Sequence, residues 1–461
     1  MAMLLMCDAH AEGTVRERQR FVFALCLNLF AFSMLWRSIY IFNFHPALAY
    51  VYSDMQAYVD MAKRILEPTY QYGAGDAFHP VGTSLMLAGS FLIDSTFRYA
   101  SLAQFGMSCL VPLLIAAIGY ELFGRRVALV GLAISSGYFQ FVDYASYFLS
   151  ENPFLFFMML SFWLLIRSLR VRRARWVPLL ALFAGVALGA AATFKSVGLA
   201  AAGLVGLFLL YLGIRYRWAR VGMVLSCGLV GMLLIVVPVS ARAMRINEGQ
   251  FCVVSANGPM NVLLGHYGEI SSIHFNDKKR YCFYDFGTAA MVQQNLMAYK
   301  DVDFGPCDGK ECFQAAWEWT KANPIESFLL SIHHVFNLFN TTPWPTSATK
   351  DRRWIRFAEQ LYIVFIFIPA LFYLLNHARG ILRRDKDMFG DILVLLPLVA
   401  LVVVAFFTIG EPRYRIPFDG FTILLAARFY AGPSTRADGL VPPVLAVPPV
   451  SSVSATSGAT V

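Results

Sequence analysis

Charge is scarce in this sequence. Only 15% of its 461 residues are Asp, Glu, Lys or Arg, against about 25% in soluble domains, and the mean hydropathy is +0.57. An ordinary soluble protein is excluded. None of the eight Cys belongs to a C-x-x-C pair, so zinc ribbons and thioredoxin-like redox motifs are unsupported. There is no G-x-S-x-G elbow and no H-E-x-x-H, and Gly309-Lys310 runs into Glu311 without the upstream glycine of a phosphate-binding loop. No internal repeat is visible. The net charge of +9 comes mostly from short Arg clusters between apolar segments, a signature of membrane topology rather than of nucleic-acid binding.

What is abundant is apolar: 58% hydrophobic residues, with 40 Phe and 21 Tyr, suited to lipid-facing surfaces and interfacial belts. A span needs about 20 largely apolar residues. Segments 21–41, 99–120, 127–142, 152–166, 176–194, 197–214, 221–239, 357–375, 391–409 and 416–430 predict ten transmembrane helices. Arg16, Arg18 and Arg20 precede the first without a small-residue cleavage site after it, as for an uncleaved span. Residues 81–93 are apolar but short, predicting a juxtamembrane helix that does not cross.

Charge orients this scheme. With ten spans, four short loops (125–126, 167–175, 215–220 and 379–386) face the cytoplasm and hold fourteen Lys and Arg. The opposite short loops hold six: Lys63, Arg64, Arg98, Lys195, Arg413 and Arg415. Counting 81–93 as a span would invert every later loop and break the positive-inside rule. The chain therefore reads as an all-α polytopic membrane protein. A cytoplasmic tail (1–20) precedes a transmembrane core (21–240) whose first outer loop, 42–98, carries juxtamembrane helices. An extracytoplasmic subdomain (241–356), C-terminal transmembrane helices (357–430) and a disordered cytoplasmic tail (431–461) rich in Pro, Ser, Thr and Val follow. The outer subdomain holds Cys252, Cys282, Cys307 and Cys312. Four Cys allow three pairings, and Cys307–Cys312 with Cys252–Cys282 is the expected set. Residues 325–340, apolar at helical spacing with two adjacent His, predict a helix lying on the membrane. Asn340-Thr341-Thr342 fits a glycosylation acceptor.

The same topology puts the candidate chemistry on one face. Asp54, one helical turn before Tyr58, is a carboxylate near the membrane surface that can act as a general base toward a hydroxyl or amine; equally, Ser53 or Asp54 can cap the helix that follows. His79-Pro80 opens the short juxtamembrane helix, where Pro is ordinary punctuation and His79 can reach a phosphate or the Asp54 loop. Asp143 and Glu151 flank the turn between the third and fourth spans, either solvated or serving as a second acid; Glu151 also suits the positive end of the next helix. Arg413 and Arg415 flank Tyr414 at the outer mouth of the last span. They can snorkel at the interface or, with Lys195, grip phosphate oxygens.

Taken in order, these pieces resemble the GT-C class of integral-membrane glycosyltransferases, in particular the protein O-mannosyltransferase-like and lipid A aminoarabinose transferase-like families. The resemblance spans about residues 20 to 430. It rests on Asp54 and Tyr58 after the first span, His79-Pro80, Leu122-Phe123-Gly124-Arg125-Arg126, Ser150-Glu151-Asn152-Pro153, Val254-Ser255-Ala256-Asn257-Gly258 and Glu411-Pro412-Arg413-Tyr414-Arg415-Ile416-Pro417. It implies a GT-C-like fold and inverting transfer of a sugar from a polyprenyl-phosphate donor to a glycan, lipid or protein acceptor. The active site would lie on the outer face, in a bacterial plasma membrane. Asp54 would be the base, Glu151 or Asp143 the second acid, and Arg413, Arg415 and Lys195 the phosphate ligands. Many relatives carry a second acid directly after the first, where this chain has Met55. An acidic-pair metal site is thus not expected, no metal or other cofactor is assigned, and metal dependence stays open. Two other classes fit less well: a transporter or flippase for lipid-linked sugars, and a non-catalytic envelope-glycan assembly subunit.

Overall fold

The computed structural model describes residues 15–51, 54–266, 309–339, 352–383 and 388–432. In chain order the helices are α1 (Val15–Ile39, running on through a π turn at Tyr40–Phe44), α2 (Asp54–Ile65), α3 (Gly82–Ile93), α4 (Arg98–Phe123), α5 (Arg125–Gly137), α6 (Phe139–Asp143) and α7 (Glu151–Arg170). They continue with α8 (Val177–Phe194), α9 (Val197–Arg215), α10 (Ala219–Ile246), α11 (Gly258–His266), α12 (Gly309–Ala322) and α13 (Pro324–Asn337). The last are α14 (Arg352–Tyr362), which passes through a π turn at Ile363–Phe367 into α15 (Ile368–Arg383), then α16 (Phe389–Phe407), α17 (Pro412–Arg415) and α18 (Asp419–Ala431). Among the described residues there is one isolated bridge, Val253 with Ser255, and no strand.

Among the described residues, eight helices are long and apolar enough to span a bilayer, or nine if the pair Arg125–Gly137 and Phe139–Ser146, bent by 58°, is one broken span. Residues 81–93 form the short helix α3, as expected. Two expectations need correction. Segment 127–142 is not one straight span but breaks at Tyr138. Segment 416–430 holds a 3-10 turn, Ile416–Phe418, followed by the 13-residue α18, whose Leu424, Leu425, Ala426 and Ala427 are each 0% exposed. Most of that helix is packed against protein, and Asp419 pairs with Arg415 and Arg428 with Asp391. One contiguous buried core joins residues of both transmembrane blocks, from Met55 and Ile115 to Leu401 and Phe421.

The break in α5–α6 has a partner that explains it. A kink frees carbonyls that lipid cannot satisfy. Here Arg37 of α1, 0% exposed, donates from Nη1 to the Ser136 carbonyl at 3.0 Å and from Nη2 to the Ser135 carbonyl at 3.2 Å. Its Nε donates to Ser108 Oγ at 2.9 Å, and Ser33 Oγ completes the shell.

Helices α8 and α10 approach through glycine. A Cβ on Gly185 would collide with the Gly228 carbonyl, and one on Gly231 with the Leu182 carbonyl, the small-residue packing that lets membrane helices touch backbone to backbone. Gly231→Leu is expected to cost about 1–3 kcal/mol or more through overpacking, read as a fall in thermal unfolding temperature in detergent. Gly222→Leu, where a Cβ meets nothing within 4 Å, should leave that temperature nearly unchanged.

Helix α13 occupies the stretch expected to lie on the membrane. It exposes Ile325, Phe328, Leu329 and Phe336 while burying Leu330, Ser331, His334 and Asn337. A Cβ on Gly410 would meet the His334 carbonyl, and Asn337 Nδ2 donates to the Gly410 carbonyl at 2.6 Å. Helix α13 thereby holds the strand of chain that enters α17. Of the predicted cystines, Cys312 is disulfide-bonded, whereas Cys252 is a free thiol and does not pair with Cys282. Cys282, Cys307, Asn340-Thr341-Thr342 and the tails 1–14 and 433–461 lie outside the described residues.

Candidate active site

Five segments converge at one end of the bundle. Asp54 begins α2, where the unpaired N–H groups of the first turn favour an anion; Ser53, the alternative cap, lies outside the described residues. Met55 is 0% exposed, so the position next to the acid belongs to the core. Asp54 Oδ2 accepts from Arg413 Nη1 of α17 at 2.7 Å. Arg413 Nε lies 2.7 Å from Glu411 Oε2, and the two side chains are only 12% and 2% exposed. Glu151, the first residue of α7, holds Lys195, the residue after α8, with Nζ to Oε1 at 2.8 Å. Tyr414 ties the two ion pairs together. Lys195 Nζ lies 4.7 Å from its ring centroid and Arg413 Cζ 5.1 Å, both within cation–π range.

Tyr58 and His79 form the adjacent wall. Their rings meet edge to face at 5.3 Å, and Tyr58 is buried with a hydrogen bond to Ser150 at the entry to α7. Burial lowers the His79 imidazole below its ordinary range despite nearby Asp54, so it is neutral at pH 7. Burial would push the Asp54 carboxyl up, but Arg413, His79 and Lys195 outweigh it and hold it below the usual carboxylate range. Glu411 goes the other way: burial raises its carboxyl against the pull of Arg413. Burial also lowers the Lys195 ammonium, with Glu151 opposing. Two cations thus sit among three acids.

The structure brings together Asp54, Tyr58, His79, Glu151, Lys195, Arg413 and Tyr414, but not Asp143 or Arg415. Asp143 lies on the bent α6 and accepts from Tyr40 Oη at 2.6 Å, 4% exposed. Arg415 is 1% exposed and spends its guanidinium on Glu359, Asp419 and the Leu338 carbonyl. Residues two apart on a helix point in nearly opposite directions, so Arg413 faces the site and Arg415 the core. Glu411 is the residue that sequence reasoning left without a role; its signal was its position two residues before Arg413 in the same motif. Among the described residues no group of three or more His, Cys, Asp or Glu could hold a metal ion.

The opposite end of the bundle carries the other charge pattern. Arg167, at the far end of α7 from Glu151, pairs with Glu121 at 2.9 Å, and the 20 residues of α7 separate the two ends by about 30 Å.

Residues 78–241 match the family model described as dolichyl-phosphate-mannose-protein mannosyltransferase. That segment contains His79, Asp143, Glu151 and Lys195, but not Asp54 or Arg413. No curated protein matches the chain by sequence. Among solved structures, the chain is similar to the archaeal oligosaccharyltransferase AglB from Archaeoglobus fulgidus in complex with an inhibitory peptide and a dolichol-phosphate. The identity is 13%, the TM-score 0.50, and the match covers 87% of this chain and 49% of that one. The apo form of the Archaeoglobus fulgidus oligosaccharyltransferase matches at the same identity and TM-score, with 50% of its chain covered. The chain thus spans about half the length of these structures, and the likeness is one of fold. The chain shares its fold with these oligosaccharyltransferases, residues 78–241 resemble the mannosyltransferase family, and its apolar helices are those of an integral membrane protein.

Proposed function

We propose that the protein transfers a sugar from a polyprenyl-phosphate-linked donor to an acceptor on the extracytoplasmic face of a bacterial plasma membrane. The donor phosphate binds at Arg413 and Lys195, and Asp54 acts as general base. The observation that carries this reading is the 2.7 Å pair between Asp54 and Arg413, residues 359 positions apart in the chain. It brings a carboxylate and a guanidinium suited to these roles side by side, which supports the reading.

In the reaction, Asp54 takes the proton of the acceptor hydroxyl or amine as that atom bonds to the anomeric carbon. The bond from that carbon to the phosphate oxygen breaks, and the polyprenyl phosphate leaves with one more negative charge. Arg413 and Lys195 meet that charge in a partly dry site, where fixed cations are most effective. Attack opposite the leaving phosphate gives inversion. Tyr58, Tyr414 and the neutral His79 wall the site with rings suited to a sugar.

A lipid-linked-sugar transporter would place ionisable groups along a pathway. The charges within the spans here are instead engaged by neighbours: Arg37 by serine carbonyls, Asp143 by Tyr40 and Asp391 by Tyr373 and Arg428. The test is mass spectrometry of envelope glycans, glycolipids and glycoproteins from cells carrying the intact chain or Asp54→Ala. Loss of a single-sugar modification with normal membrane insertion is expected, and an unchanged glycan profile would sink the proposal. Build-up of an untranslocated lipid-linked intermediate would favour transport.

A further inference from the structure

Arg413 can serve a phosphate only if α17 is held in place, and that helix has just four residues. Its anchor is the neighbouring Arg415. The guanidinium donates from Nη2 to Glu359 Oε2 of α14 at 2.7 Å and from Nε to Asp419 Oδ2 of α18 at 3.2 Å. Nη1 donates to the Leu338 carbonyl just after α13 at 3.2 Å, and the face of the group lies 3.8 Å from the Tyr362 ring centroid. Tyr138, at the break between α5 and α6, donates to Asp419 Oδ2 at 2.6 Å. Arg415, Glu359 and Asp419 side chains are 1%, 3% and 0% exposed. A buried charge group of this kind is weak evidence for added stability, but removing one of its partners leaves an uncompensated charge. It joins α13, α14, α18 and the α5–α6 break to the residue two positions from Arg413.

We propose that Glu359 is a positioning residue for the transfer. Through Arg415 it clamps α17 so that Arg413 faces the donor phosphate, and without it Arg413 loses its aim although no atom of Glu359 reaches the site. The inference rests on the reading of Arg413 as a phosphate ligand. Glu359 itself stands in a segment to which the sequence assigned no chemistry.

The probe is dolichyl phosphate, titrated against the full chain in detergent micelles, with thermal unfolding measured on the same samples. Glu359→Ala is expected to weaken binding at least tenfold at equal folded fraction. Glu359→Gln, which still accepts from Arg415 and leaves Asp419 as counter-charge, should keep the unfolding temperature near the parent's, weaken binding about threefold, and so rescue most of the loss. If Glu359→Ala does not fold, Glu359→Gln carries the test alone. Parental affinity in the folded Glu359 variants, with Arg413→Ala having lost binding, overturns the clamp and leaves the phosphate reading intact. Parental affinity in Arg413→Ala overturns both.

Discussion

Asp54→Asn should lower the turnover of sugar transfer by about 10²–10⁴-fold, the usual contribution of a positioned general base. The amide matches the carboxylate in size but cannot take the acceptor's proton. Arg413 keeps Glu411 as a partner, so the variant should insert and unfold like the parent. Donor affinity should hold or improve, because Asp54 no longer competes with phosphate for Arg413. Purified protein in liposomes with a polyprenyl-phosphate sugar separates the two effects: turnover falls while the donor KM does not rise. Turnover within threefold of the parent would remove Asp54 from the chemistry. The pH dependence follows with a definite sign. With Arg413 beside it, the Asp54 carboxyl sits below the usual carboxylate range. The parent should therefore keep its activity to lower pH than an ordinary carboxylate base would allow, and lose it as pH falls through that depressed value. The pair's contribution to stability is likewise present above the unfolded carboxyl's pKa and lost on the same descent.

Arg413→Ala should do more damage of two separable kinds. It strands Glu411, 2% exposed, and partly buried Asp54 without their common cation. Removing one partner of a buried ion pair costs about 3–5 kcal/mol. It also removes the proposed phosphate ligand. Combining it with Glu411→Gln eliminates the stranded buried charge, so the double variant should regain most of the lost unfolding temperature while remaining inactive. Recovery of transfer together with stability would make Arg413 a structural residue only. Arg413→Lys should fall between, because a point charge on a flexible stem cannot hold Asp54 and Glu411 at once as the planar fork does.

Hydropathy read the bundle well wherever helices face lipid, and went astray where protein surrounds them. Segment 416–430 is as apolar as a span because most of α18 is packed in protein, and a periodicity argument cannot separate burial in protein from burial in lipid. The break at Tyr138 was equally hidden, since its stabiliser, Arg37, lies about a hundred residues away. At the site, loop charge was informative because it sorts residues by side of the membrane. Asp54, Glu151, Lys195 and Arg413 were grouped by that criterion and are found paired. Sidedness has no angular resolution, however. It could not tell Arg413 from Arg415, or notice that Asp143 turns toward Tyr40. Glu359 escaped because its partner is set by tertiary packing alone.

The 359 positions between Asp54 and Arg413 are also an interval of time. At about 5–20 residues per second of synthesis, the acid emerges roughly 20 to 70 s before the cation that sets its charge state. Throughout that interval the nascent chain holds Asp54 without its partner and no phosphate ligand from α17. On the proposed reading, a chain released before α17 is inserted would be inert toward donor, however many of its earlier helices have packed. Activity would then report on the completion of the whole bundle, and half-built chains would not consume lipid-linked sugar.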